Sequence, residues 1–272
     1  MKYWLLLQPS RRFIIPILLS AVLIATPDNF LHELKSLGLV SPTSSLGKPT
    51  KMIEHSLNFI KYPILIQDKP RGYLKVNEKG EVDEFGISPF PSKAPIYVSN
   101  FPRYPFFLNS HTTSAAVLLT FYGLRGKENE KSFAASLNLF IEKCLCNELG
   151  KPLVYDIAQG IKNFASYRKK KITVEEVYQS EAPDKALRFY TEKIKRGQPV
   201  LVSFVYDKEG KSRERAKERR EANTYLGVGY LEMGKEIFLI LWDAKTGDFV
   251  AKNYKGAHTN LIITSVKLGF VE

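Results

Sequence analysis

From residue 199 the chain reads PVLVSFVY (199–206), TYLGVGYLEM (224–233), EIFLILWDA (236–244), DFVAKNY (248–254) and NLIITSVKLGF (260–270). Each run is short, rich in β-branched and aromatic residues, and bounded by glycine or polar clusters. That is the pattern of strands joined as hairpin-like neighbours. Upstream the period changes. HTTSAAVLLTFYGL (111–124) carries apolar residues at helical spacing and stops at Gly123. Further helices are expected at about 131–146, 153–168 and 183–196. The last has Pro183 near its start and Gly197 just past its end, the asymmetry that helix termini favour. Helices first and strands afterwards define an α+β fold whose sheet is mainly antiparallel.

Before this region the signals are more local. Residues 28–50 hold a short helix candidate, Asn29 to Leu37, and the linker SPTSSLGKPT. Residues 51–95 read as a small helix followed by a hairpin, in which Lys79-Gly80 separates two alternating runs of GYLKVNEKGEVDEFG. A proline-rich stretch from Pro89 to Pro95 closes this part, and IYVSNF (96–101) begins the next with a short strand. The organisation expected is residues 1–27 as a targeting segment, 28–95 as an N-terminal extension, and 96–272 as the main domain.

The targeting reading rests on Lys2, Arg11 and Arg12 ahead of the uncharged run Phe13 to Ala25, broken by Pro27-Asp28. An apolar core of about thirteen residues is shorter than the roughly 17–25 that cross a bilayer, and it reads as a secretory signal. An uncleaved signal-anchor, a transmembrane helix, stays open beside it. Either makes the protein exported or membrane-anchored, on the extracytoplasmic side.

With 272 residues, 44% of them hydrophobic and 12% aromatic, the chain can bury a large core, which excludes intrinsic disorder. Two cysteines exclude a disulfide-scaffolded mini-protein. Cys144 and Cys146 lie two apart at the end of a helical pattern, on nearly opposite sides, and cannot easily bridge each other. No second pair or neighbouring histidine completes a zinc set, and no cofactor is implied. The net charge of +12 bears on partners rather than on fold.

The chemistry-bearing cluster is SHTTSAA (110–116) at the start of the first buried helix. A helix N-terminus activates a nucleophile, and a strand across the cleft can bring a histidine base. SHTTSAA running into VLLTFYG, then KIKRG leading to QPVLV (198–202), NTYLGVGY (223–230) and LWDAKTG (241–247), resembles the C39-like, papain-fold cysteine peptidases over roughly residues 96–250. The resemblance implies a papain-like domain, with Ser110 at the nucleophile position and Tyr104 at the oxyanion position. It further puts Asn223, or Thr224 if the strand is shifted by one, at the general-base position and Asp243 at the orienting position. Where the family carries Cys, Gln and His, this chain carries Ser, Tyr and Asn. A serine hydroxyl needs a base more than a thiol does, and asparagine cannot accept a proton at neutral pH.

Other residues offer little rescue. His111 is adjacent to Ser110, about 100° away around the helix. His258 lies in a late turn, His32 and His55 fall outside the matched region and read as surface residues, and no lysine announces itself as buried. The expectation is a non-catalytic pseudopeptidase that binds a peptide or protein in its relict cleft. A peptide or amide hydrolase using Ser110 or a rearranged site is the alternative.

The stretch KEGKSRERAKERR (208–220) interrupts the frame with seven basic residues against three acidic. It reads as a solvated loop or helix, or as a cationic flap in which Lys211, Arg213, Arg215, Lys217, Arg219 and Arg220 meet an anionic surface or membrane. No nucleic-acid recognition fold accompanies it, and the aromatic residues fall on buried periodic positions, so nucleic acid is not an expected partner.

Overall fold

A computed structural model describes residues 26–91, 94–98, 101, 104, 109–144, 157–206, 221–258 and 260–269. It is an α+β structure with five helices and one large antiparallel sheet among the described residues. Helix α1 spans Pro27–Ser36, with the Thr26 hydroxyl accepting from the Asn29 amide and Pro27 in the first turn. Capping residue and proline fix its start, and Phe30, Leu31 and Leu34 form its buried stripe.

Five strands follow: β1 (Ser45–Leu46), β2 (Thr50–Glu54), β3 (Leu57–Ile66), β4 (Lys69–Asn77) and β5 (Val82–Ile87). Helices α2 (Ser110–Phe121), α3 (Glu130–Cys144) and α4 (Ile157–Tyr167) lead to β6 (Ile172–Tyr178) and α5 (Pro183–Lys195). The chain ends in β7 (Val200–Tyr206), β8 (Glu221–Met233), β9 (Glu236–Trp242), β10 (Phe249–Asn253) and β11 (Asn260–Leu268).

The sheet order is β1-β3-β4-β5-β10-β9-β8-β7-β11-β6, with β2 also paired to β3. Strand β5 pairs with β10, Glu84 opposite Lys252, so strands from either side of residue 95 share one sheet. Alternation along β7 shows why it reads as one apolar run. Leu201 joins the core beneath α2, α3 and α4, while Val200, Val202 and Phe204 pack with Ala186, Tyr190 and Ile194 of α5. Helices cover both faces of this half of the sheet, so both phases of the strand are apolar. On the α2 side the core continues through Leu74, Phe85 and Phe238 to α1, where Phe30 meets both aromatic rings edge-on.

Three expectations are corrected. Among the described residues no helix is long and apolar enough to cross a membrane, so the transmembrane helix finds no support there; the run 13–25, on which that expectation rests, lies outside the described residues. The small helix expected after residue 51 is instead β2 and β3. Two-residue turns, His55-Ser56 and Gln67-Asp68, flank β3, and all four residues have positive φ, 52°, 66°, 51° and 58°. This is the conformation of primed hairpin turns, which match the twist of the strands they join. Neither turn carries the glycine or asparagine that normally announces it. Among the described residues of 96–101, the expected strand is reduced to one bridge, Ile96 to Gly229. Cys144 closes α3, and Cys146 and the 208–220 stretch lie outside the described residues.

Gly227 of β8 shows how tightly α5 is seated. A Cβ there would lie 2.4 Å from the Tyr190 ring, whose hydroxyl donates to the Gly229 carbonyl at 2.7 Å. The ring is fully buried and cannot swing away. Gly227→Ala is expected to destabilise the fold by about 2 kcal/mol, as overpacking in a filled core does. Urea denaturation of the variant against the parent chain measures it.

Candidate functional site

The first turn of α2 docks on one residue of β8. Asn109 caps the helix, its side chain accepting from the Thr112 amide at 2.8 Å. Ser110 and His111 are thereby presented at the helix entrance. The backbone N–H of Thr224 donates to Ser110 Oγ at 3.2 Å, and Ser114 Oγ donates to the Thr224 carbonyl at 2.8 Å. His111 Nδ1 lies 2.6 Å from Thr224 Oγ1, which in turn lies 2.8 Å from Ser203 Oγ on β7. The structure thus brings Ser110, His111 and Ser114 against Thr224 of β8. Thr224, not Asn223, is the side chain facing α2.

What this cluster can do chemically is limited. Among the described residues no imidazole hydrogen-bonds to Ser110 Oγ. The one imidazole nearby is spent on Thr224, a residue only 2% exposed and out of reach of an incoming substrate. Burial holds the His111 pKa down to about 4, so the ring is neutral at pH 7. Its contact with Thr224 is a neutral hydrogen bond inside a chain of hydroxyls.

The remaining expected site residues go elsewhere. Tyr104 is fully buried, and its hydroxyl is 2.7 Å from Thr120 Oγ1. Thr120 is ten residues along α2 from Ser110, about 15 Å at the helical rise, so this phenol does not serve an oxyanion there. The Tyr104 amide donates to the Ala244 carbonyl at 3.3 Å, tying it to the β9–β10 turn. Asp243 closes that turn, its Oδ1 accepting from the amides of Lys245 at 2.8 Å and Thr246 at 3.4 Å. Asn223 points to the opposite face of the sheet, where its Nδ2 is 3.0 Å from His55 Nε2.

That opposite face holds a second polar centre. Lys75, Glu84 and Lys252 form a cross-strand row on β4, β5 and β10. Lys75 and Lys252 are only 2% and 3% exposed, contrary to the expectation that no lysine is buried. Both ammonium groups meet Glu84 Oε2, and Tyr73 donates to Glu84 Oε1 at 2.5 Å. Glu54 reaches Lys75 at 3.0 Å, and Asp83 stands 3.5 Å from it. Burial opposes ionisation of Glu84, but Lys252 and Lys75 outweigh it and hold its pKa well below the usual carboxylate range. The hydrogen bond from His55, and then Lys75 and Lys252, hold Glu54 at about 2 against partial burial.

His55 is not a surface residue. It stacks on Tyr206 of β7 with ring centroids 4.0 Å apart. Since β3 and β7 are separated by five strands in the sheet order, this contact requires the sheet to curl until the β2–β3 tip meets the ends of β7 and β8. His258 lies on the same face, edge-on to Phe204 and 3.0 Å from the Gln179 side chain. Among the described residues no three His, Cys, Asp or Glu side chains converge as a metal site.

Comparison with protein-family models and with curated proteins returns no match.

The two partly buried histidines make stability depend on pH. Burial depresses both His111 and His258 from 6.5 to about 4, with Lys252 adding to the effect at His258. In that window the unfolded chain binds protons that the folded chain refuses, so stability falls as pH falls. Each histidine is expected to remove up to about 3 kcal/mol between pH 7 and 4. Denaturant titrations across this range should show the decline, and His111→Gln should make its slope shallower; a flat profile for the parent chain would contradict the neutral rings.

Proposed function

We propose that the protein is an exported, non-catalytic relative of the C39-like papain-fold peptidases that acts by binding a peptide or protein segment beside the α2 entrance. The observation that carries this reading is the hydrogen bond from the Thr224 amide to Ser110 Oγ. It joins the helix start and the strand that the resemblance pairs as nucleophile and base positions. Within this frame, no described residue stands ready as the proton-transfer group. Thr224 and Asn223 cannot act as bases, and His111 is turned onto a buried threonine. A serine without a base loses orders of magnitude in rate, because the members of such a constellation act as a unit. Export is supported by the basic segment and apolar run before Pro27.

Treatment with a fluorophosphonate probe and a mixed peptide library tests the reading. Neither a label on Ser110 nor turnover is expected. Labelling together with turnover, both abolished in Ser110→Ala, would establish the hydrolase instead.

A further inference from the structure

The curled face of the sheet away from α2 is covered by a helix over only half its width. Helix α5 seats on the β6, β7, β8 and β11 side, and Tyr190 packs onto Gly227 there. Over β3, β4, β5 and β10 no described helix lies on this face, and a cavity of about 690 Å³ opens there. Its size is within the range of about 300–1,000 Å³ typical of small-molecule sites.

The floor of this cavity is built deliberately flat. Gly72 and Gly86 sit side by side with Tyr73, and a Cβ on Gly86 would come 2.7 Å from the Tyr73 ring. The missing side chain lets the phenol lie across the sheet. Its hydroxyl is fixed to Glu84, so the buried lysine–carboxylate row adjoins the floor on the same face. That row is costly to bury, and strongly perturbed ionisable groups beside a cleft are a physical mark of a working site.

The walls carry charge of opposite sign that is not neutralised. On the β3–β4 side stand Lys61, whose Nζ is 4.2 Å from the Tyr73 ring centroid, and Arg71. Neither forms an ion pair with any described residue. The β9–β10 turn on the other side presents Asp248, whose carboxylate is likewise unpaired among the described residues, and Asp243 beside it. Lys61 on β3 and Asp248 at the start of β10 stand three places apart in the sheet, about 14 Å at strand spacing, while Arg71 on β4 lies nearer. The deeper cations of the same face, Lys75 and Lys252, are by contrast both paired.

We propose that this cavity binds a short peptide with free termini, its carboxylate held by Lys61 and Arg71 and its ammonium by Asp248, over the Tyr73 floor. A single amino acid is too short to bridge the Lys61 and Asp248 sides across about 14 Å of sheet, while each added residue extends the reach by about 3.5 Å. Phe249 and Val250 offer apolar surface to its side chains. This site is separate from the α2 entrance, and it stands or falls independently of the pseudopeptidase reading.

Isothermal titration of the full chain with trialanine and with alanyl-phenylalanyl-alanine tests it, alongside their C-terminal amides and N-acetyl forms. The free peptides are expected to bind, and blocking either terminus to weaken binding about tenfold or more, as loss of a charge-assisted contact does. Lys61→Gln, Arg71→Gln and Asp248→Asn, all at exposed side chains, should each weaken the free peptide similarly while circular dichroism is unchanged. Ser110→Ala should bind like the parent chain. No binding at millimolar peptide, equal affinity for free and blocked forms, or indifference to all three substitutions overturns the proposal.

Discussion

Glu84 sits between two lysines that the fold has removed from water, and the sheet is joined at that point. Taking each charge into the interior costs several kcal/mol, which only close partners offset, and removing one partner of such a set is far costlier than never having built it. Because Lys75, Glu84 and Lys252 are direct cross-strand neighbours, their pairing specifies how β4, β5 and β10 align. A one-residue slip of β10 would send Lys252 to the opposite face, among Leu74, Phe85 and the α1 side chains. The ionic row therefore acts as a register key between the N-terminal hairpins and the C-terminal sheet. Apolar residues alone would hold the strands together without choosing between alignments.

With that alignment set, the two faces diverge in character. Beneath α2 the polar groups are small, neutral and mutually satisfied: Ser110, Ser114, Thr224, Ser203 and a neutral His111. Nothing there stores charge or moves a proton on demand. On the other face the groups are ionised, crowded and covered by rings, with Lys252 over both Phe204 and Tyr225 at 5.3 Å. The contrast is one of dielectric environment. A serine cluster docks a helix at little electrostatic cost, whereas the ionic row holds strong fields in a low-dielectric interior.

Much of the architecture is legible in the residues. β7 through β11 stand out because their apolar runs are bounded by turn residues, and α5 because proline and glycine bracket it. The failures have specific causes. β2 and β3 are hidden because His55-Ser56 and Gln67-Asp68 adopt turn conformations that their side chains do not advertise. Thr224 rather than Asn223 faces α2, a choice that strand alternation decides only once pairing is known. Lys75 and Lys252 occupy polar phases of alternating strands, which reads as solvent exposure; the curl of the sheet turns those phases inward. Curl is a property of the whole sheet, and no local pattern encodes it.

The seating of His55 bears on how the chain comes to fold. Its partners Tyr206 and Asn223 are made late in the chain, the latter 168 residues away in sequence. The β2–β3 tip can therefore find its place only after β7 and β8 have formed, even though the hairpin itself closes locally in microseconds. A fold whose first strands wait on its last ones has high contact order, and such chains fold slowly while their edges stay open to pairing with neighbours. For this protein the hairpin that forms first would be among the last elements to become native.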